Sequence, residues 1–521
     1  MKTLRVLLIG SMAVWLAACG VNPVTGKKEL QFVSESQELA IGTQNYAPTR
    51  QSEGGDFGVV PDLTTYVNEV GQKLAAVSDR KLPYEFVVLN NSVPNAWALP
   101  GGKIAVNRGL LTELKNEAEL AAVLGHEIVH AAARHGAKAQ ERGTLLQAGM
   151  AAAQIGAAVG GADANIAGLL IQGAGVGAQM IQMKYGRDQE LESDLYGMKY
   201  MKLAGYDPWG AVTLQEAFVR LSEQGARSQS WLDGMFASHP PSMERVTRNQ
   251  QTAAELGRGG DLGAERYTAR IRPLMDLKPA YDKYDQAVAA SRKKDYATAR
   301  RLATEASAAV PREGRFQEFL GEVALSEKQP QQAATHYARA MDLNPGYFGS
   351  YLGAGVAQMQ LGNRAKAEEW LARSAQLLPT APAAFYLGQI EREKGNIPKA
   401  LEYYKAAAGS DSPIGQQAAA EFVKIDLPQN PGNYVAAAAQ IDAEGQLIVV
   451  VQNRSPVGMS DIQITPVLVD ASGNVATRGN AIRIRGPLAS GERTTAGTGI
   501  GLNQEQLPFV RFRIDGARAV Q

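Results

Sequence analysis

The feature that most constrains the fold is a regular spacing in the C-terminal half of the 521-residue chain. Small residues recur 34 positions apart at Ala299, Ala333 and Ala367, and Ala400 follows after 33. Prolines keep the same period of 34 at Pro311, Pro345 and Pro379. A period of this length fits one pair of helices, with a small residue where they cross and a proline that ends the second. The sequence therefore predicts a run of stacked helix pairs.

Helix pairs with this period are typical of tetratricopeptide repeats. We place the repeats over residues 280 to 425, with Gly321, Gly355 and Gly388 at further contact positions on the leading helices. Stacked repeats form an α-solenoid, and its concave face binds segments of other proteins. This region therefore predicts a protein partner.

The other parts of the chain have different patterns. Residues 19 to 60 form a polar lead, and within it Ser34 and Gln37 have the spacing of a capping box. Residues 61 to 255 mix helical and strand patterns. Residues 435 to 521 alternate between apolar and polar positions, which predicts a small β-sandwich. The predicted fold class is multidomain, with an α+β domain, an α-solenoid and a β-sandwich.

The charge balance excludes one class of partner. The chain has 53 basic and 52 acidic residues, which gives a formal net charge of +1. Nucleic-acid binding requires clustered positive charge against the phosphate backbone. We therefore expect no nucleic-acid partner.

A candidate metal-binding helix lies in the α+β region. The segment EAELAAVLGHEIVHAAARH, residues 117 to 135, has high helix propensity and contains His126, Glu127 and His130. Histidines at positions i and i+4 project from one face of a helix, so both imidazoles can reach a single zinc ion. Glu127 can then act as the base that takes a proton from the metal-bound water. His135 is about 500° around the axis from His130, which indicates a structural or solvent-facing residue.

A catalytic zinc site needs a third protein ligand. Glu190 and Asp194 are spaced i and i+4, so one can bind the metal while the other orients a ligand imidazole. We predict Glu190 as the third ligand and Asp194 as the supporting carboxylate. Glu192 is the weaker alternative for the third ligand.

Further motifs accompany these residues, and together they carry a resemblance to the CAAX-prenyl-protease-like gluzincin family. The chain is most similar to the periplasmic bacterial members that carry tetratricopeptide repeats. The similarity covers residues 20 to 255, and the helical repeats that follow are of the same type. The matching segments are NAWALPGG (95–102), RGLL (108–111), HEIVH (126–130), ELESD (190–194), and SHPP (238–241) with Arg245.

This resemblance implies a zinc endopeptidase with one metal ion per chain. It also implies that His239 lies near the metal, either as a transition-state donor or as a fourth ligand that holds the enzyme inactive. Arg245 resembles the arginine that supports this histidine. The catalytic residues implied are therefore Glu127, His239 and Arg245.

The N-terminus indicates where the protein works. Lys2 and Arg5 precede a short apolar run that ends in Leu16-Ala17-Ala18-Cys19, which is the pattern of a signal peptide over residues 1 to 18 with a lipobox. Cys19 is the only cysteine, and lipidation accounts for a sole thiol in a secreted protein. The resemblance to bacterial lipoproteins implies a diacylglycerol on Cys19, and because Gly20 follows it in place of the aspartate that retains such proteins in the inner membrane, it implies the outer membrane as the destination. We expect a lipoprotein anchored at Cys19 on the periplasmic side of that membrane.

Two more segments bear on the site. Residues 87–89 and 104–106 are expected to pair as strands that hold an extended substrate, or else to form a buried hairpin. Residues 144 to 183 have one charged residue, Asp163, and are predicted to form a helical hairpin that acts as a lid.

The sequence thus predicts a zinc metalloendopeptidase that cleaves misfolded or stalled envelope and outer-membrane proteins, with the repeats recruiting it to assembly machinery. The substrate class rests on the resemblance. The alternative is a repeat-based chaperone or assembly scaffold with a latent zinc site.

Overall fold

The computed structural model describes residues 19–139, 184–223 and 234–520. The predicted signal peptide (residues 1 to 18) and the predicted lid (residues 144 to 183) lie outside these residues. The chain divides into two compact units, residues 1–353 and 354–521, so the boundary falls within the helical repeats. Among the described residues, no helix has the length and apolar character needed to cross a membrane.

A three-stranded sheet forms one layer of the first unit. Its strands are β3 (Glu85–Leu89), β4 (Ala96–Leu99) and β5 (Lys103–Asn107), in the order β3-β5-β4. The predicted strands do pair, but β3 and β5 run parallel, so the buried-hairpin alternative is wrong. The intervening NAWALPGG segment supplies β4, which pairs antiparallel with β5 at the sheet edge. No strand was predicted for this segment from the sequence.

The N-terminal lead packs against this unit. Strands β1 (Cys19–Val21) and β2 (Lys28–Leu30) form an antiparallel pair with Cys19 opposite Leu30. The hairpin leaves Val21 53% and Leu30 43% exposed. Helix α1 (Glu35–Ser52) then begins at Ser34, and the predicted capping box with Gln37 is present. Helix α2 (Pro61–Ala75) follows and buries its apolar face.

Helix α4 (Glu117–Ala132), which comes after the short α3 (Arg108–Leu111), is buried along its whole length. The Asn116 side chain caps its start by accepting from the Glu119 amide at 2.9 Å. Glu117, in the first turn, accepts hydrogen bonds from the hydroxyls of Tyr66 and Tyr206, both at 2.8 Å. These contacts hold the helix that contains His126 and His130 in the centre of the domain.

Helix α5 (Arg187–Leu203) crosses α4 at a pair of glycines. A Cβ atom on Gly197 would lie 3.0 Å from the carbonyl carbon of Gly125 and 3.0 Å from the amide nitrogen of His126. Side chains at either position would separate the helix backbones. The close crossing therefore lets acidic side chains of α5 reach the histidines of α4.

The remaining helices of the first unit either complete the domain around the site or belong to the repeats. Helices α6 (Trp209–Glu223), α7 (Met235–Ser238) and α8 (Met243–Leu256) complete the domain. The repeat helices are α9 (Ala264–Arg292), α10 (Tyr296–Ala309), α11 (Gly314–Ser326), α12 (Pro330–Leu343) and α13 (Phe348–Gln360), and α13 crosses the unit boundary. Ala299 and Ala333 are fully buried, and Gly321 packs against the Tyr337 ring, as the 34-residue period predicts.

The second unit contains four more helices and two antiparallel sheets. The helices are α14 (Arg364–Leu377), α15 (Ala381–Glu393), α16 (Ile397–Ala408) and α17 (Pro413–Asp426). One sheet has the order β11-β7-β6 and the other β10-β8-β12, with β9 also paired to β8. The strands are β6 (Val435–Ile441), β7 (Gln446–Asn453), β8 (Met459–Val469), β9 (Val475–Arg478), β10 (Ile482–Ile484), β11 (Arg493–Gly501) and β12 (Val510–Ala519). Buried side chains from both sheets share one apolar cluster.

Candidate metal centre

Four side chains from three elements converge in the first unit: His126 and His130 on α4, Glu190 on α5, and His239 directly after α7. One nitrogen or oxygen atom from each lies within 4.8 Å of all the others, and all four residues are buried. The Nε2 atoms of His126 and His130 are 3.0 Å apart. His239 Nδ1 lies 3.0 Å from Glu190 Oε1 and 3.2 Å from His126 Nε2.

This donor set fits a divalent metal ion. Glu190 Oε1 and Oε2 lie 3.4 Å from His130 Nε2 and 3.5 Å from His126 Nε2, respectively. Neighbouring ligand atoms of a tetrahedral site with metal–ligand distances of roughly 2.0 Å are about 3.3 Å apart. Two imidazoles and a carboxylate at these separations match the usual ligands of catalytic zinc. Four such groups buried together are otherwise costly, because burial disfavours their charged and unpaired forms.

Asp194 and Arg245 orient the donors from one side. Asp194 Oδ1 is 2.9 Å from His126 Nδ1, which places the His126 proton on Nδ1 and leaves Nε2 free to bind a metal. Arg245 donates to both oxygens of Asp194 at 2.7 Å and lies 2.7 Å from Glu190 Oε2. Burial alone would raise the pKa of Asp194, but Arg245 and His126 outweigh it and hold the pKa below its usual value. Arg245 thus pairs with two carboxylates of α5, those of Glu190 and Asp194.

Glu127 lies beside the cluster without belonging to it. Its carboxylate is fully buried, and neither oxygen has a hydrogen-bond partner within the described parts of the chain. His239 Nε2 lies 3.5 Å from Glu127 Oε1. Burial raises the pKa of Glu127 despite the opposing effects of His239 and His126. A buried carboxylate in this environment is suited to accept a proton.

His135 has a different place from the one expected. It is 1% exposed, and its Nδ1 lies 3.0 Å from Nδ1 of His130, so the solvent-facing expectation is wrong, whereas its burial agrees with the structural alternative. The rotation argument assumed a continuous helix, whereas α4 ends at Ala132 and Arg134 has a left-handed φ of 63°. Glu192, the alternative third ligand, lies outside the four-residue cluster and contacts His135 Nε2 at 3.4 Å.

Sequence reasoning missed two side chains at the site. Tyr185 packs against His130 with ring centroids 3.9 Å apart, and its amide donates to the Ser238 carbonyl at 3.3 Å. Gln215, on α6, accepts from Arg245 Nε at 2.6 Å once its amide is oriented to satisfy both groups. Neither residue belongs to a spaced motif, so a single sequence gave no signal for them.

Similarity to known proteins agrees with this geometry. The pattern of peptidase family M48 matches residues 61–253, and tetratricopeptide-repeat patterns match residues 284–348 and 324–390. These matches confirm the predicted metallopeptidase domain and the predicted repeats.

Three curated relatives illustrate the range of similarity. The putative beta-barrel assembly-enhancing protease of Vibrio cholerae is 31% identical over 199 residues, or 37% of this chain and 40% of that protein. The beta-barrel assembly-enhancing protease of Escherichia coli is 26% identical over 376 residues, or 66% of this chain and 75% of that protein. Metalloprotease YcaL of Escherichia coli is 33% identical over 220 residues, or 41% of this chain and 79% of that protein. This chain is 33% identical to metalloprotease YcaL and covers 79% of that protein, and the family pattern matches its residues 61–253. The chain therefore belongs to the metallopeptidases of peptidase family M48.

Proposed function

We propose that the protein is a zinc-dependent endopeptidase in which His126, His130 and Glu190 hold the metal. The observation that carries this proposal is the convergence of their donor atoms within 4.8 Å inside the domain, beside an unpartnered carboxylate. Zinc bound there would acidify a coordinated water and polarise the carbonyl of the scissile peptide bond.

The chain's own groups have separate roles in this proposal. Glu127 accepts the proton of the attacking water and passes it to the leaving amine. Asp194 and Arg245 position the ligands, since Arg245 binds both Asp194 and Glu190. The expectation that this sheet holds an extended substrate at its edge is not supported by β4, because β5 is the central strand and every residue of β4 is buried.

The metal requirement is the direct test of this function. Removing zinc with a chelator should abolish cleavage of unfolded casein, and adding one equivalent of zinc per chain should restore it. Folded globular proteins serve as the control, and we expect little cleavage of them. A protein that binds zinc and unfolded chains but cleaves none under these conditions would instead support the repeat-based chaperone or scaffold with a latent site.

The substrate class follows from the relatives' names together with the repeats. Two relatives are named for enhancing β-barrel assembly. We propose that this protein cleaves misfolded or stalled outer-membrane proteins in the periplasm, and that its tetratricopeptide repeats recruit it to proteins of the assembly machinery. The two sheets of the second unit are proposed to form a β-sandwich.

His239 is proposed to close the fourth metal position in the resting enzyme. Its Nδ1 lies among the other donor atoms, and its Nε2 faces Glu127 at 3.5 Å. Replacing His239 by Ala should therefore raise casein cleavage or self-cleavage, as measured by the initial rate of peptide release. A rate that falls about a hundredfold with zinc retained would make His239 a transition-state donor instead.

Lipidation of Cys19 is the proposed means of localisation. The residue is the sole cysteine and follows the Leu16-Ala17-Ala18 motif. Cys19→Ala should abolish incorporation of a labelled fatty acid and release the protein from the membrane fraction into the soluble periplasm. A labelled, membrane-bound Cys19→Ala protein would place the lipid elsewhere on the chain.

A further inference from the structure

A line of side chains, all buried except the half-buried Glu192, runs from His130 away from the metal cluster to the N-terminal hairpin. His130 Nδ1 lies 3.0 Å from His135 Nδ1, and His135 Nε2 lies 3.4 Å from Glu192 Oε1. The side-chain amide of Asn22 donates to the same Glu192 oxygen at 3.0 Å. Asn22 is fully buried, and it lies in the turn between β1 and β2.

The proton positions along this line follow from one condition. If His130 Nε2 binds a metal, its proton is on Nδ1, so His130 donates to His135 Nδ1. His135 must then accept at Nδ1 and carry its own proton on Nε2, which points at Glu192. The Glu192 carboxylate accepts from both His135 and Asn22. Every contact in the line therefore joins one donor to one acceptor, and Glu192 is the final acceptor from both sides.

The outer end of the line is fixed by the backbone. Asn22 Oδ1 accepts from the backbone amides of Val24 at 2.9 Å and Thr25 at 3.2 Å, and the backbone N–H of Asn22 donates to the Lys27 carbonyl at 2.8 Å. These bonds define the turn of the hairpin and leave the Asn22 amide group only one orientation toward Glu192. The N-terminal turn thus holds the Asn22 side chain in position to donate to Glu192.

The two histidines of α4 are held differently. His126 is oriented by a carboxylate directly, through Asp194. His130 has no carboxylate on its Nδ1 among the described residues, and the imidazole of His135 takes that place. Tyr185 packs on the ring of His130, but a ring contact does not fix which nitrogen carries the proton. His135 is therefore the group that can set the His130 tautomer.

We propose that His135 is a positioning residue for His130, and that Glu192 and Asn22 hold His135 in the required tautomer, so that the N-terminal turn is part of the metal centre. The inference rests on the proposed function, because it takes His130 as a metal ligand. The residues that would position His130 thus lie outside the HEIVH motif, in the segment after α4 and in the turn between β1 and β2. Residues that hydrogen-bond to a metal ligand and orient it typically contribute 10- to 100-fold to metal affinity.

The test measures the zinc affinity of the full chain by competition with a chelator of known affinity. His135→Leu, which removes the acceptor, should weaken zinc binding by about 10- to 100-fold. His135→Asn should recover part of this loss, because its side-chain oxygen can accept near the position of Nδ1. His336→Leu is the matched control, since His336 lies in the repeats and contacts Gln317. Thermal unfolding of each metal-free variant separates lost positioning from lost folding.

Asn22→Ala tests the outer end of the line and leaves His135 in place. It should weaken zinc binding in the same direction as His135→Leu but less, and it should alter the visible absorption of the cobalt-substituted protein. Unchanged zinc affinity and an unchanged cobalt spectrum in His135→Leu would overturn the inference. Unchanged values in Asn22→Ala alone would overturn the role of the N-terminal turn. Failure of the proposed function would look different, because the wild-type chain itself would then not bind zinc tightly or cleave casein.

Discussion

Replacing Glu127 by Gln is expected to reduce the cleavage of unfolded casein by about 10²- to 10⁴-fold, the usual contribution of a general base. The substitution keeps the shape of the side chain but removes the group that accepts the proton. Glu127 is not among the four clustered donor residues, so the zinc content of the variant should equal that of the wild type. The initial rate of peptide release, together with the zinc content, measures both expectations.

Glu113→Gln is a suitable control for this experiment, because Glu113 is an exposed glutamate just before α4. Its rate should match that of the wild type. A Glu127→Gln protein that cleaves casein at the wild-type rate would show that another group accepts the proton, and it would contradict the proposed mechanism.

Replacing Glu190 by Gln should weaken zinc binding by more than about a hundredfold, beyond the 10- to 100-fold typical of residues that only support a ligand. The amide removes the single anionic donor from a cluster whose other members are imidazoles. It also leaves Arg245 with Asp194 as its remaining carboxylate partner in the cluster. Zinc affinity measured by chelator competition gives the size of the loss.

Glu192→Gln is the comparison that makes this prediction specific. Glu192 is on the same helix but contacts His135 and Asn22, so its loss should be smaller than that of Glu190→Gln. A larger loss in Glu192→Gln than in Glu190→Gln would reverse the assignment of the third ligand.

Local spacing was sufficient to predict the donors that the structure brings together on α4 and α5. His126 and His130 share a face because they are four residues apart, and the same spacing relates Glu190 to Asp194. Glu192 is two residues from Glu190, or about 200° around the axis, and so points to another side of α5. If α5 crosses α4 near the two histidines, helical periodicity alone therefore indicates which of the two glutamates faces them.

The features that the sequence did not predict depend on contacts between distant segments. His135 reaches His130 because α4 stops at Ala132, and the turn there is held by Arg134, which pairs with Glu38 at 2.9 Å. That partner is far away in the sequence, so no local pattern indicates it. Strand β4 was missed for a similar reason, since its pairing with β5 follows from the parallel alignment of β3 and β5.

The shortness of the N-terminal hairpin has a consequence for where cleavage can occur. Asn22 is only three positions after Cys19, and three residue steps of chain span at most about 10 Å. With the proposed acyl group on Cys19, this short segment would keep the metal centre at a short distance from the bilayer. The exposed Val21 and Leu30 beside it are suited to rest on the lipid surface. Such an enzyme would sample polypeptides as they stall at the membrane surface, and chains free in the periplasm would have to come to it.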